Sequence, residues 1–301
     1  APAPKPEPVK QAPAESKGAQ DKKSQVPSSQ KAPAPNPKNA SFLSFLNKDC
    51  ELRLSVAIDF TSSNKKHEEQ GSLHHSAQPL NNPYWRTLSS VLNILLPFSR
   101  EQTVEAMGFG GKKKGSKDVS QCFSLVEGDE FAVSGLEGLR KAYQDSLRDI
   151  QLSSPAHLNE VIVKARMSMQ NHLKQQPARD AYQVLLIITD GDPDDEQQTI
   201  NELVKSSVLP ISVLVVGVGK AKFSKMRKWN GEEPQLANDK GIKMKRAMVT
   251  FASYDDCDGS SKGSKLAEHL LENLPQHILK SKMKNKDAPA PFELPASKWF
   301  A

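Results

Sequence analysis

With 301 residues the chain is long enough for one or two domains, and its net charge of +6 and hydrophobic fraction of 37% leave room for only one large core. Its three cysteines, Cys50, Cys122 and Cys257, are widely spaced and odd in number, which argues against a disulfide framework and for a reducing compartment. No Cys-x-x-Cys pair suggests structural zinc, no apolar run is long enough to span a membrane, and the first residues lack the apolar segment of a signal peptide.

In chain order, residues 1–40 alternate Ala, Pro, Lys, Gln and Ser with no hydrophobic period. They are expected to form a disordered basic arm that protease trims as far as Ser41. The missing initiator Met points to processing or to a piece of a longer chain. The run Leu52-Arg53-Leu54-Ser55-Val56-Ala57-Ile58 then breaks into Asp59, Thr61, Ser62, Ser63 and Asn64. An apolar run of this kind reads as a parallel strand buried on both faces, and the polar cluster falls at its carboxyl end, where open α/β sheets place their ligand sites. Three hard oxygen groups in Asp59-x-Thr61-x-Ser63 suit a Mg²⁺-like cation. On five residues alone, a hydroxyl-capped turn into a helix is the better explanation.

Further along, 84–96 carries apolar residues at helical spacing and ends at Pro97. Residues 104–110 read as a strand, 112–117 as a basic hairpin tip, and Cys122-Phe123 as a short strand. Helices are expected over 134–150 and 157–173. The run Val184-Leu185-Leu186-Ile187-Ile188-Thr189-Asp190-Gly191 is a second buried strand ending in an acid, and Gly191 permits a sharp exit. An acidic helix over 194–204, a strand over 209–218, a short helix over 223–229, an outer strand over 247–254 and a last helix over 265–283 complete the body. Such alternation predicts a doubly wound α/β fold: a mostly parallel, six-stranded sheet with helices on both faces.

Two central strands delivering Asp59 and Asp190 to one sheet edge favour a shared site over two unrelated caps. The loop Asp59-x-Thr61-x-Ser63 together with Ile188-Thr189-Asp190-Gly191 resembles a von Willebrand factor type A domain with its metal-ion-dependent adhesion site, a Rossmann-like fold. The likeness extends through Phe45-Leu46, Ser72-Leu73-His74, Gly108-Phe109-Gly110, Leu209-Pro210-Ile211-Ser212 and Val215-Val216-Gly217-Val218-Gly219. As an ordered set these resemble the A domain of copines, a pattern shared by plant ubiquitin ligases with a copine-like domain. The resemblance implies a domain over 41–284, between the arm of 1–40 and a flexible tail of 285–301. That tail is Pro-punctuated yet holds Phe292, Leu294, Trp299 and Phe300, and docking onto the body or a partner is weighed equally with an incidental end.

The resemblance also implies a metal set of Asp59, Thr61, Ser63 and Asp190, with a Thr from a third loop. The matching segment here is Ser154-Pro155-Ala156, so the Thr is replaced by Ala156. Ser153, Ser154 and Asp192 are the candidate substitutes, and Mg²⁺ or Ca²⁺ binding is expected to be weak or absent. His74 takes a structural role in the family pattern, and adjacent His74 and His75 diverge too much to act as a metal pair. Asp192, Asp194, Asp195 and Glu196 either favour the dipole of the helix they open or ring the site with negative charge.

No phosphate loop, Gly-x-Ser-x-Gly elbow or dinucleotide fingerprint supports catalysis. The expectation is a non-catalytic, cytoplasmic adaptor or scaffold module of copine type, peripheral to cytoskeleton or membrane. Its protein partners are expected at the carboxyl edge of the sheet and through the tail. The Lys-rich stretches 112–114 and 280–286 suit acidic surfaces or anionic lipid, although solvated loops are the commoner explanation. No specific nucleic acid is expected, since no aromatics interleave with the lysines. Two alternatives remain open: a piece of a full copine acting as a calcium-dependent phospholipid-binding effector, and a piece of a copine-like ubiquitin ligase without its zinc module.

Overall fold

The computed structural model describes residues 50–282, apart from 77–79, 129, 232–235, 258, 260 and 261. The expected arm and tail lie outside the described residues. Strand β1 (Cys50–Asp59) is buried along nearly its whole length. Helix α1 (Pro83–Leu95) opens where Asn82 Oδ1 accepts from Trp85 N at 2.8 Å, with Pro83 in the first turn. It runs into a 3₁₀ turn at Leu96–Phe98, around the proline that was expected to end it. Strand β2 (Thr103–Phe109) follows, then three short strands, β3 (Gly111–Lys113), β4 (Phe123–Ser124) and β5 (Ala132–Ser134). Helix α2 (Gly135–Asp149) stops before β6 (Ile150–Leu152), and α3 (Asn159–Gln175) leads to β7 (Asp180–Thr189). The remaining elements are α4 (Glu196–Ser206), β8 (Ile211–Gly217), α5 (Ser224–Trp229), β9 (Val249–Ser253), α6 (Lys262–Leu271) and α7 (Leu274–Lys282).

The sheet runs β4-β2-β1-β7-β8-β9, the expected six strands, and β5 adds a seventh by pairing with β2 beside β4. The five strands β2-β1-β7-β8-β9 are mutually parallel, while β4 and β5 run antiparallel to β2. From β1 the chain winds outward to β2, then returns to lay β7 on the other flank of β1 before continuing to β8 and β9. The strand order therefore reverses between β1 and β7, where open α/β sheets form their ligand crevice. A second, two-stranded sheet pairs β3 with β6. Both are too short to show a period in sequence, and Ile150 falls in this strand, not in the helix before it.

Side chains alternate across β1 and feed two cores. Leu52, Leu54, Val56 and Ile58 pack with Leu88, Leu92, Leu139, Tyr143, Leu266 and Ile278, so α1, α2, α6 and α7 cover one face. Ala57, Leu185 and Ile187 pack with Val161, Ile162, Leu203, Met226 and Trp229, so α3, α4 and α5 cover the other. Full burial of each such Leu, Ile or Val stabilises the fold by about 2 kcal/mol.

The single last helix expected over 265–283 is instead two. Pro275 has no N–H to donate to Leu271, so α6 ends at Leu271 and α7 starts anew at Leu274, with Pro275 in its first turn, where no N–H is needed. His277 on α7 is tied to the sheet: its Nδ1 lies 3.2 Å from Ser212 Oγ, which is 2.7 Å from Tyr182 Oη. Lys282 pairs with Asp180. Among the described residues no helix is long and apolar enough to cross a membrane. Cys50, Cys122 and Cys257 form no disulfide.

Candidate functional site

Asp59 is the last residue of β1 and Asp190 follows the last residue of β7, so the two neighbouring parallel strands deliver both acids to one edge. The Asp59 carboxylate is fully buried and fully hydrogen-bonded. Its Oδ1 accepts from Thr61 N at 2.7 Å and Thr61 Oγ1 at 2.6 Å. Its Oδ2 accepts from Thr189 Oγ1 at 2.6 Å and Asp190 N at 3.3 Å. Burial pushes its pKa up, and these donors, Thr189 and Thr61 foremost, pull against that shift.

In front of Asp59 three oxygens converge. Thr61 Oγ1 lies 3.0 Å from Ser63 Oγ, which donates to Asp190 Oδ1 at 2.9 Å, and Thr61 Oγ1 is 3.5 Å from that same oxygen. Burial first, and then the charge of Asp59, raise the Asp190 carboxyl to about 6. The residues present fit a hard divalent cation. Adjacent oxygens around an octahedral Mg²⁺ stand about 3 Å apart, the spacing of this trio, and a positive charge would relieve both carboxylates. Among the described residues no group of three or more His, Cys, Asp or Glu side chains could hold a metal. The donors here are two carboxylates and hydroxyls.

The third loop lies beside this cluster. Ser62 N donates to Ser153 O at 2.7 Å, and Ser153 N reaches Phe60 O and Gly110 O. Gly110 has φ +71°, and a Cβ there would stand 2.4 Å from Thr61 Cγ2, so only glycine lets β2 turn away against the Asp59 loop. Ala156 offers no side-chain oxygen. Its backbone instead pairs reciprocally with Asp194: Ala156 N donates to Oδ2 and Asp194 N donates to Ala156 O, each at 2.9 Å. On the other flank Gln121 donates to Pro155 O at 2.9 Å and accepts from His157 N at 3.1 Å. Ser154 Oγ faces Ser62 Oγ at 3.1 Å.

Asp192, the candidate substitute for the third-loop Thr, faces the start of α5. Its two oxygens accept from Lys225 N and Met226 N at 3.1–3.2 Å and so cap α5. Asp195 likewise accepts from Leu158 N and Asn159 N, both at 2.9 Å, at the start of α3. The acids expected to serve the dipole of α4 or to ring the site are thus spent largely on N–H groups of other segments.

Behind the cluster, buried His74 donates through Nε2 to Asp59 O at 2.7 Å and accepts at Nδ1 from Tyr143 Oη at 2.8 Å. Its ring stacks between Tyr84 and Phe60, with centroids 4.1 and 5.5 Å away. Burial lowers its pKa to about 3, so it stays neutral. Asn82 donates to Tyr143 Oη, and Tyr84 Oη donates to Asn64 Oδ1, extending the network on both sides. His75 is exposed, so the adjacent pair does diverge. Reading the sequence missed Thr189, Asn64, Gln121, Tyr84 and Tyr143. A signal existed for Thr189, since a hydroxyl closing a buried apolar strand needs a partner.

A family model described as Copine matches residues 72–289. Copine-A of Dictyostelium discoideum is 33% identical over 254 residues, which cover 83% of this chain and 41% of that protein. Nicotinic receptor-associated protein 1 of Caenorhabditis briggsae is 34% identical over 242 residues, covering 79% of this chain and 38% of that one. The chain therefore spans about two fifths of the length of these curated relatives. Among solved structures, manganese-loaded Plasmodium vivax TRAP protein is similar at a TM-score of 0.39 and 14% identity, over 68% of this chain and 70% of that one. Proximal thread matrix protein 1 from the mussel byssus, with a zinc occupied MIDAS motif, is similar at 0.37 and 13%, over 77% and 46%.

Proposed function

This chain belongs to the copine family, and from that premise we propose that it is a non-catalytic, cytosolic protein-interaction module whose recognition face is the carboxyl edge around Asp59. The observation that carries the reading is the convergence of Thr61, Ser63 and Asp190 oxygens in front of a buried Asp59 at the switch point of the sheet. Thr61, Ser63 and Asp190 would hold a divalent cation, with Asp59 bracing Thr61 from behind. Bound there, Mg²⁺ or Ca²⁺ would neutralise the carboxylates and offer positions to oxygens from a partner.

The chain's own residues also keep this face in shape. Thr189 and the Thr61 hydroxyl hold the Asp59 carboxylate, and the Ala156–Asp194 pair with Gln121 fixes the third loop. The face is thus preorganised, and partner binding depends little on the cation. The relative named for association with a nicotinic receptor supports a protein partner for this chain. An adaptor or scaffold role, inside a longer copine or alone, fits that reading.

Titration calorimetry with Mg²⁺ and with Ca²⁺, on the unchanged chain and on Ala156→Thr, tests it. The unchanged chain is expected to bind weakly. The added hydroxyl is expected to gain about tenfold in affinity, the worth of one good ligand contact. Tight binding by the unchanged chain, or no gain from the Thr, would show that the third loop works otherwise.

A further inference from the structure

Next to the cluster, β2 leaves through Gly110 into a hairpin that carries Lys112, Lys113, Lys114 and Lys117 against a single acid, Asp118. Lys113, Lys114 and Lys117 are exposed and Lys112 is half-buried. Lys141, Lys205, Lys225, Lys262 and Lys282 each pair with a carboxylate. Among the described residues the four hairpin lysines, like Lys240 and Lys243, make no such pair, and they are gathered on one turn. They are also held in place. Gly110 N donates to Ser120 O at 3.0 Å, Ser120 N to Gly111 O at 2.8 Å and Ser116 N to Lys113 O at 2.9 Å. On the other side Lys112 and Lys113 pair in register with Gln151 and Ile150 of β6.

A row of like charges on a braced turn carries mutual repulsion that an anionic partner removes. We propose that this hairpin is a docking element for an acidic, Asp/Glu-rich polypeptide segment of the partner that the adjoining face recognises. It rests on the reading of the carboxyl edge as that face, since the hairpin base packs directly on Thr61 through Gly110. Charge complementarity selects the occupant. The tip, Lys114-Gly115-Ser116-Lys117, has no apolar or aromatic side chain to enter a bilayer, which membrane-surface elements use alongside their lysines. Nor does it offer an aromatic on which a base would stack.

The full chain is titrated into a labelled peptide of about ten residues alternating Glu and Gly, read by fluorescence anisotropy with Mg²⁺ and again in chelator, at about 50 mM salt, where charge contacts are weakly screened. K113E/K114E is expected to weaken binding about tenfold or more. K240E/K243E, the same change in net charge on another exposed loop, is expected to change it less than about twofold. Equal loss in both variants would reduce the effect to overall charge and overturn the proposal, as would no binding by the unchanged chain. Peptide binding abolished by chelator would place the peptide on the cation instead. In a parallel arm with phosphatidylserine vesicles, loss of vesicle binding by K113E/K114E with intact peptide binding would make the hairpin a lipid contact, again overturning it. The cation reading fails or holds separately, in calorimetry without peptide.

Discussion

Asp59 and Asp190 could be found in sequence because each ends an apolar run, where an acid has no structural excuse. What holds them could not. The His74–Tyr143 hydrogen bond joins residues 69 apart, and Thr189 reaches Asp59 across 130 positions. Such bonds leave no local spacing to read. Ala156 was legible as a departure, but the backbone exchange with Asp194 that fixes its loop was not. The importance of Thr189 is testable by itself. Thr189→Val keeps the volume and removes a donor from a buried carboxylate. Leaving that oxygen short should cost about 2 kcal/mol in urea unfolding. A loss within error would mean that Asp190 N and Thr61 alone satisfy Asp59.

The long elements of the fold followed from apolar period and turn chemistry, as did the short strand β4 and the short helix α5. β3, β5 and β6, of three residues each, owe their existence to neighbours and not to their own sequence. The break between α6 and α7 was written in Pro275, yet the apolar spacing on either side disguised it. α7 also carries a pH-sensitive contact. Burial, then the positive charges of Arg246 and Lys280, lower His277 to about 3. The unfolded chain, with a His pKa near 6.5, binds this proton first. The contribution of His277 is therefore complete above about pH 6.5 and is lost as pH falls towards 3, at about 1.4 kcal/mol per unit. His277→Gln can still meet Ser212 but cannot titrate. Its urea-derived stability should fall less steeply between pH 6 and 4 than that of the unchanged chain. Parallel slopes would show that His277 keeps its solution pKa.

For the whole molecule, the doubly wound order of strands decides where function can sit: one reversal, between β1 and β7, makes one crevice. Where the folded body begins and ends is a separate matter, and the boundaries 41 and 284 are a proposal drawn from composition and from the reach of the family pattern. A chain limited to residues 41–284 should unfold thermally within about 2 °C of the full chain, a difference of about 1 kcal/mol at most. A larger drop would place the outer segments in the stability of the body. Within that body, the stretch from Asp192 to Asp195 fastens three places at once: Asp192 holds the start of α5, Asp194 the third loop and Asp195 the start of α3. It begins two residues after Asp190. A pull on Asp190 by anything bound there is thereby delivered to two helix starts and a loop together. Occupancy of the crevice should accordingly register in amide exchange as a concerted event at Ala156, Leu158, Lys225 and Met226, and not as a fading local disturbance.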